Sequence, residues 1–366
     1  MTKADRRLRA RGPLMFTAAI AWCAAWLAGC SGEADQTSDA SGQAQQRVVL
    51  YSSVDDYLLR EVVSAFEADT GIAVDVVGDT EATKTTGLMQ RVLAERDDPQ
   101  ADVWWSSEPF ATIRLAREDA LAEMPEREGH PEDLRAQHWL GFGLRARVIA
   151  YDTRKFESVD DVPRTLADLT KPEFRGRVAI ARPEFGTTRG HLAALVEAWG
   201  EEPTEAWLEA MVANDMRVYS SNSAVVRAIA DGEVWLALTD TDDVWSGQQN
   251  DWPVDLVYEA TDESSGGSQW QSFGPMLIPN TIAYVSGSED DAAARTLVDY
   301  VLSERATVLM AESDSRNIPI DAELRARYQQ WSPIPAADGS FGWSPDLDAV
   351  EAQVPTALEL SERHLN

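Results

Sequence analysis

The sequence has few of the side chains from which most catalytic and metal sites are built. Its 366 residues include two cysteines and four histidines. Both cysteines, Cys23 and Cys30, lie within the first 30 residues, so the rest of the chain has neither a disulfide framework nor a cysteine-rich metal site. Gly-x-Ser-x-Gly, His-Glu-x-x-His, P-loop and Cys-x-x-Cys motifs are also missing. We therefore expect no catalysis and no cofactor, and a fold that is stabilised by packing.

Positive charge is scarce as well. Lysine and arginine number 32 against 62 aspartates and glutamates, which gives a net charge of −30. Five of the basic residues lie within the first eleven positions, so the chain beyond residue 29 is more acidic still, at about −34. Such a charge repels nucleic acid and anionic lipid. We predict no nucleic-acid partner.

The N-terminal segment has the layout of an export signal. A basic start is followed by an apolar run of about 15 residues, shorter than the ~20 that a membrane-spanning helix needs. The run ends in Leu-Ala-Gly-Cys at residues 27–30, which resembles the bacterial lipobox and implies a lipid on Cys30. We predict a signal peptide over 1–29 and a flexible polar tether over 30–46. An uncleaved anchor helix is the alternative, and either arrangement puts the rest of the chain on the periplasmic side of a membrane.

Regular alternation of strand and helix begins at Arg47. Short apolar runs at 47–51, 72–77 and 101–105 read as buried strands with helices between them, and the same alternation resumes at 177–181. Such alternation favours an α/β fold with a largely parallel sheet. At ~100–200 residues per domain, the exported part is long enough for two domains.

Polar residues gather at the end of each predicted strand. In open α/β sheets, ligands bind outside the carboxyl ends of the strands, so these clusters are candidate contacts. Helix capping is the alternative for any single cluster, because the same residue types cap helix N-termini. The predicted ligand contacts are Ser52, Ser53, Thr80, Thr83, Lys84, Thr85, Ser106, Ser107, Thr187, Thr188, Asn222, Asp240 and Asp242.

The charge of the ligand is left open by these residues. Converging helix N-termini favour an anion. Clustered carboxylates favour a hard metal ion or an amine. On the second reading, the predicted metal ligands are Asp55, Glu108, Asp240, Asp242 and Asp243.

Several stretches, in this order and spacing, resemble the ferric-iron-type extracellular solute-binding proteins of bacterial ABC importers. They are Val49–Ser53, Phe66–Ile72, Ala101–Ser106, Gly176–Ala181, Gly232–Val234, Ile278–Ala283 and Ala292–Ser303. The resemblance implies a type II periplasmic-binding-protein fold with two lobes, each a central mixed sheet flanked by helices, and crossing strands as the hinge. Lobe 1 is predicted over 47–144 plus 276–316, and lobe 2 over 145–275 plus 317–366.

The family resemblance also implies a cargo and partners. The protein is expected to capture a small solute or metal ion, with Fe(III) as transported ligand, and to pass it as a monomer to an ABC permease and its ATPase. Ferric-binding members use adjacent tyrosines after the strand equivalent to 234–238, where this chain has Thr239–Asp243. An all-carboxylate iron site is chemically reasonable, because ferric iron is a hard acid, and Asp55 or its neighbours take the place of the histidine or tyrosine that often follows the first strand. A phosphorylated, phosphonate or zwitterionic solute remains an alternative ligand, and a sensory binding protein remains an alternative class.

Overall fold

The computed structural model describes residues 46–79, 85–184, 186–261, 269–329 and 342–365. The predicted signal peptide (1–29) and the predicted lipidation site Cys30 lie outside the described residues, as do Thr80, Thr83 and Lys84. These assignments stay predictions. None of the helices in the described ranges has the length and hydropathy to cross a membrane.

Nine strands form one mixed sheet in the described part of the chain. The strands are β1 (Arg47–Ser52), β2 (Ala73–Gly78), β3 (Val103–Ser106), β4 (Leu140–Asp152), β5 (Val178–Ala181), β6 (Arg217–Tyr219), β7 (Leu236–Asp240), β8 (Val254–Val257) and β9 (Leu277–Tyr284). Their spatial order is β2-β1-β3-β9-β4-β7-β5-β6, and β8 pairs with β4. The predicted strands are confirmed, and β8 is an additional one.

Twelve α-helices cover the sheet in the described residues. They are α1 (Asp56–Thr70), α2 (Thr86–Ala94), α3 (Pro109–Arg117), α4 (Gly186–Trp199), α5 (Glu201–Ala213), α6 (Asn222–Ala230), α7 (Thr241–Gln249), α8 (Ala292–Val301), α9 (Glu304–Glu312), α10 (Ala322–Arg327), α11 (Leu347–Ala352) and α12 (Val354–Leu365). Helix α1 shows why these segments form: its apolar residues recur at helical spacing, and Gly71 ends it with a left-handed φ of 74°.

The first half of the sheet is built around β1, which pairs in parallel with β2 and β3. Side chains alternate between the two faces of a strand, so neighbours belong to different cores. Trp105 packs with Val48 and Leu50 on one face, and Trp104 packs with Tyr51 on the other. Both faces of this half are therefore covered, as expected for parallel strands.

Strands β4 and β9 join the two halves. The thirteen residues of β4 are buried throughout. Residues 140–146 pair with β9, whereas residues 147–152 pair with β7 and β8. The register shifts at Gly143, whose φ is 47° and where a Cβ would meet the Met310 methyl carbon at 2.7 Å. The predicted crossing strands are thus confirmed.

The second half of the sheet is built around β5, which pairs in parallel with β6 and β7. Strand β7 runs antiparallel to β4 and places Asp240 directly opposite Arg147. It continues two residues past the predicted end at Leu238, so Asp240 is both its last residue and the residue before α7. An aspartate that the sequence pattern puts in a loop is therefore buried in the sheet.

The C-terminal segment contacts both halves. Helix α11 packs against α3 and α4, and α12 packs against α4 and α5. Residues 318–328 lie with the first half, because Ile318 pairs with Leu144 and the Tyr328 hydroxyl donates to Glu312. The lobe boundaries remain a prediction.

Candidate functional site

A cavity of about 480 Å³ is lined by residues from both halves of the chain. It contains eight of the predicted site residues: Asp55, Ser107, Thr187, Thr188, Asn222, Asp240, Asp242 and Asp243. It also contains residues that the sequence analysis did not select, among them Asp56, Tyr57, Arg145, Arg182, Ser221 and Trp252. Part of the predicted strand-end clusters therefore converges on one cavity.

Asp240 is the most enclosed of these residues, with no solvent exposure. Its Oδ1 accepts a hydrogen bond from Arg147 at 2.9 Å, and its Oδ2 accepts from Thr187 at 2.5 Å and from Asn222 at 2.9 Å. Burial raises the pKa of Asp240, but the charges of Arg147 and Arg145 and the Thr187 hydrogen bond outweigh burial and hold the pKa below its usual value. Asp240 is thus an ionised and fully engaged carboxylate.

Asp242, two residues later, has a different environment. Its Oδ2 accepts from Arg145 at 2.9 Å, whereas its buried Oδ1 has no hydrogen-bond partner among the described residues. Burial raises the pKa of Asp242, and the charges of Asp240 and Asp55 add to that rise against the opposing charge of Arg145. A buried oxygen without a partner is costly unless something binds it, so Asp242 is the residue best placed to take a cation.

Other oxygen donors lie close to Asp242. Carboxylate oxygens of Asp240, Asp242 and Asp243 all lie within 4.8 Å of one another. Tyr57, in the first turn of α1, lines the same cavity with Asp55. Desolvation raises the pKa of Tyr57, and the charges of Asp242, Asp55 and Asp243 raise it further, although 41% of the residue remains exposed to solvent. The cavity therefore offers several carboxylates and one phenol, all hard oxygen donors.

Arg145 links the carboxylates to the first half of the chain. It is buried, forms an ion pair with Asp242 at 2.9 Å, and also donates to the backbone carbonyl of Ser107. Neither Arg145 nor Arg147 was among the predicted site residues. Both lie on β4, and the register of β4 with β7 brings together residues about 93 positions apart, such as Arg147 and Asp240. Local sequence pattern does not predict such a pairing.

Three helices begin at the second-half side of the cavity. Thr187 and Thr188 lie in the first turn of α4, Asn222 in that of α6, and Asp242 in that of α7. Helix N-termini favour negative charge, and here the carboxylate of Asp240 receives the side-chain donors of Thr187 and Asn222. The anion-favouring groups predicted from the sequence are real, but they hold an aspartate of the protein itself.

Five predicted residues of the described first half do not line this cavity, and four of them accept hydrogen bonds from backbone amides. Ser52 accepts from the Val54 amide, Ser53 accepts from the Ser107 amide, and Ser106 accepts from the Glu108 amide. Both oxygens of Glu108 accept from backbone amides at the start of α3. These residues stabilise turns and a helix N-terminus, which is the capping alternative. The predicted metal role of Glu108 does not fit this environment.

Glu108 has a further partner from the other half. Arg189 of α4 approaches it at 3.7 Å and donates to Thr86 at 3.1 Å. Both charged side chains are buried. Burial raises the pKa of Glu108, opposed by the Arg189 charge and by the two backbone hydrogen bonds. Thr85, a predicted contact just before α2, is buried with a left-handed φ of 71° and does not line the cavity.

The two halves also meet through an apolar contact. Phe110 of α3 packs within the core cluster of the second half, over Gly190 of α4. A Cβ at Gly190 would lie 1.8 Å from the Phe110 ring, so only glycine allows this approach. The Phe110–Gly190 contact and the buried Arg189–Glu108 ion pair therefore hold the two halves together beside the cavity.

This architecture is found in solved periplasmic binding proteins. The chain is similar to iron-bound HitA from Pseudomonas aeruginosa, with a TM-score of 0.69 and 22% identity over 87% of this chain and 99% of that one. It is equally similar in fold to a Trichodesmium protein solved with iron and citrate, with a TM-score of 0.69 and 20% identity over 87% and 98% of the two chains. The fold is that of a type II periplasmic binding protein, as the sequence resemblance implied.

The family is shown by the sequence itself. Residues 48–313 match the bacterial extracellular solute-binding protein family, to which this chain belongs. Iron uptake protein A1 of Synechocystis is 28% identical over 286 residues, 76% of each chain. The Fe(3+)-binding periplasmic protein of Serratia marcescens is 31% identical over 201 residues, which are 53% of this chain and 56% of the relative.

Proposed function

We propose that this protein binds ferric iron between its two halves and delivers it to an ABC permease and its ATPase. The observation that carries the proposal is the buried Oδ1 of Asp242, which has no hydrogen-bond partner in the part of the chain that the structure describes and lies beside the carboxylates of Asp240 and Asp243. Asp55 and Tyr57 face the same cavity from the first half. The names of the relatives, which refer to iron uptake and Fe(3+) binding, support the same cargo.

The charge balance of the cavity favours a cation. Five aspartates line it, against the guanidinium groups of Arg145 and Arg182 in the lining and that of Arg147, which pairs with Asp240 behind it. Ferric iron is a hard acid that prefers oxygen donors, and its charge would stabilise the ionised form of a phenol whose pKa is otherwise raised. An organic amine would satisfy the carboxylates but gives Tyr57 no such role. We assign Asp242, Asp243, Asp55 and Tyr57 as the iron ligands.

Capture would proceed by closure of one half on the other. The second half holds Asp242 and Asp243, and the first half adds Asp55 and Tyr57, so a complete ligand set needs both. Hinge closure around the ligand is the usual motion of this architecture. The ion leaves chemically unchanged, and the proposal includes no catalytic step. Export and a lipid anchor at Cys30 complete the proposal and would keep the protein near its permease.

A phosphorylated or phosphonate solute is the alternative ligand. It would need the donors of Thr187 and Asn222, which already bind Asp240. A second anion there would lie beside an ionised carboxylate, which is unfavourable. The same fold also serves sensory binding proteins, and impaired iron-dependent growth of a deletion strain would favour import over sensing.

The binding test uses the exported chain, residues 31–366, with the N-terminal segment removed. Thermal unfolding is measured with Fe(III)-nitrilotriacetate, inorganic phosphate, 2-aminoethylphosphonate and spermidine. A ligand at 100 times its Kd stabilises a protein by about 2.7 kcal/mol, so a true cargo gives a clear rise in Tm. We expect the rise with iron alone.

The double variant Asp242→Asn/Asp243→Asn assigns the site. It should lose at least about 100-fold in iron affinity, because even residues that only support metal ligands contribute 10–100-fold. Asp290→Asn is the matched control, since Asp290 is 92% exposed and ion-paired at the surface. A rise in Tm with a phosphonate and none with iron would refute the proposed cargo. Iron affinity that is unchanged in the double variant would refute the assigned ligands.

A further inference from the structure

Asp240 is surrounded by the kinds of donor groups that a bound anion would need. Its two oxygens receive the guanidinium of Arg147, the hydroxyl of Thr187 and the amide of Asn222, all within 2.9 Å. A hydroxyl, an amide N–H and a guanidinium are the donors that proteins use to bind phosphate and carboxylate groups. The donors thus form an anion site whose occupant is part of the chain.

The backbone around Asp240 favours negative charge in the same way. Thr187 and Asn222 belong to the first turns of α4 and α6, and Asp240 immediately precedes α7. Three helix N-termini therefore lie around one carboxylate, which bonds to side chains of two of them and is fully buried opposite Arg147 in the sheet. A side chain fixed in this way needs no ordering when a ligand binds.

We propose that Asp240 is a built-in anion that replaces a co-bound one, so that the cavity takes the ferric ion alone. The proposal rests on the proposed function and specifies the form of the cargo. The Trichodesmium relative described above was solved with citrate as well as iron. In this chain, a small carboxylic acid or phosphate would have to compete with Asp240 for Thr187, Asn222 and Arg147.

Native mass spectrometry tests the proposal on the unaltered protein. The exported chain is loaded with Fe(III)-nitrilotriacetate in the presence of phosphate, citrate or bicarbonate, and then desalted into a volatile buffer. We expect a complex with one iron and no retained anion under all three conditions. A stoichiometric anion in the iron-loaded species would overturn the proposal. Failure to retain iron under any condition would refute the proposed function instead.

Chemical rescue tests the role of the residue. Asp240→Ala removes the carboxylate and leaves a space of about its size next to Arg147. Iron affinity should fall about 10–100-fold, as for other groups that support metal ligands. Millimolar acetate or formate should raise the iron affinity of the variant by at least about tenfold. The iron affinity of the wild-type protein should not depend on either anion. Circular dichroism confirms that the variant is folded, and the mass-spectrometric result decides if it is not.

Two results would contradict the assignment of Asp240. One is a folded variant that binds iron as tightly as the wild-type protein without any added anion. The other is a loss of affinity that no small carboxylate or phosphate reverses, because that loss would mean a purely structural role.

Discussion

The two walls of the cavity are built differently. In the second half, Asp240, Thr187, Asn222 and Arg147 form one network of hydrogen bonds anchored in the sheet and in three helix N-termini. In the first half, the lining near Asp55 and Tyr57 comes from a single loop and the first turn of α1. Under the proposed function, the first of these walls is ordered before the ligand binds, and the other would supply the groups that complete the site on closure.

Breaking the buried ion pair between the halves should have the largest effect on stability. Arg189→Met leaves Glu108 as an uncompensated buried charge, which typically costs about 3–5 kcal/mol. Urea denaturation at neutral pH measures the loss. The double variant Arg189→Met/Glu108→Gln should recover part of it, since the unpaired charge is then removed as well. No recovery would mean that Arg189 acts through packing alone.

Tyr57 tests whether the first-half wall supplies an iron ligand. Tyr57→Phe should lower iron affinity by about tenfold or more, that is, by at least about 1.4 kcal/mol. The visible absorption band expected of a tyrosinate–iron complex should disappear at the same time. Tyr328, bonded to Glu312 outside the cavity, provides the control variant Tyr328→Phe. A visible band that persists in Tyr57→Phe would show that Tyr57 does not bind the metal.

Gly190→Ala probes the close contact between the walls. The added methyl group overlaps Phe110, and overpacking of this kind costs about 1–3 kcal/mol. Because the two residues belong to different halves, separating the walls relieves the strain. We expect weaker iron binding and a larger radius of gyration in small-angle scattering. Adding Phe110→Ala should restore the fit, whereas unchanged affinity in Gly190→Ala would exclude this contact from closure.

The smallest effect on iron binding concerns a carboxylate of the second half that lies outside the cavity, where the expected change is in stability. Burial raises the pKa of Glu259 to about 8, with a hydrogen bond from Ser272 in opposition. A pKa raised by folding stabilises the fold below the unfolded value of 4.5, and that contribution is lost as the pH rises through about 8. Glu259→Gln should therefore raise Tm at pH 9 and change it little at pH 5. An equal shift at both values would contradict this account.

Much of the fold and part of the site could be predicted from the sequence. The strand–helix alternation correctly predicted the strands, but four of the eight strand pairings are antiparallel, so the expectation of a largely parallel sheet was wrong. The polar strand ends brought Thr187, Asn222 and Asp242 to one cavity. Local pattern could not show which polar residues are used as caps. Ser106 and Glu108 are polar, as the lining residues are. The hydrogen bonds that their side chains accept from backbone amides are visible only in the structure.

Long-range register explains what sequence pattern missed. Arg147 lies opposite Asp240 because β4 and β7 pair antiparallel. The residues next to either one in the sequence do not indicate this pairing. Tyr57 follows the predicted first strand, and it lines the same cavity as Asp242 only because the two halves come together. The close approach of Phe110 to Gly190 likewise joins residues that are far apart in the sequence, so local pattern does not predict it.

The pairing of β4 with β9 has a consequence for the architecture as a whole. The chain enters the second half through Arg147 and leaves it through Met276, and the Arg147 amide donates to the Met276 carbonyl at 2.8 Å. The two ends of segment 147–276 are thus neighbours in space, as they are in a domain inserted into another fold. We call this segment the cassette and the rest of the chain the host. Exchange of this cassette between relatives would transplant Asp240, Asp242 and Asp243 together. The host would still contribute α11 and α12, which cover α4 and α5, so a compatible donor must match that face too.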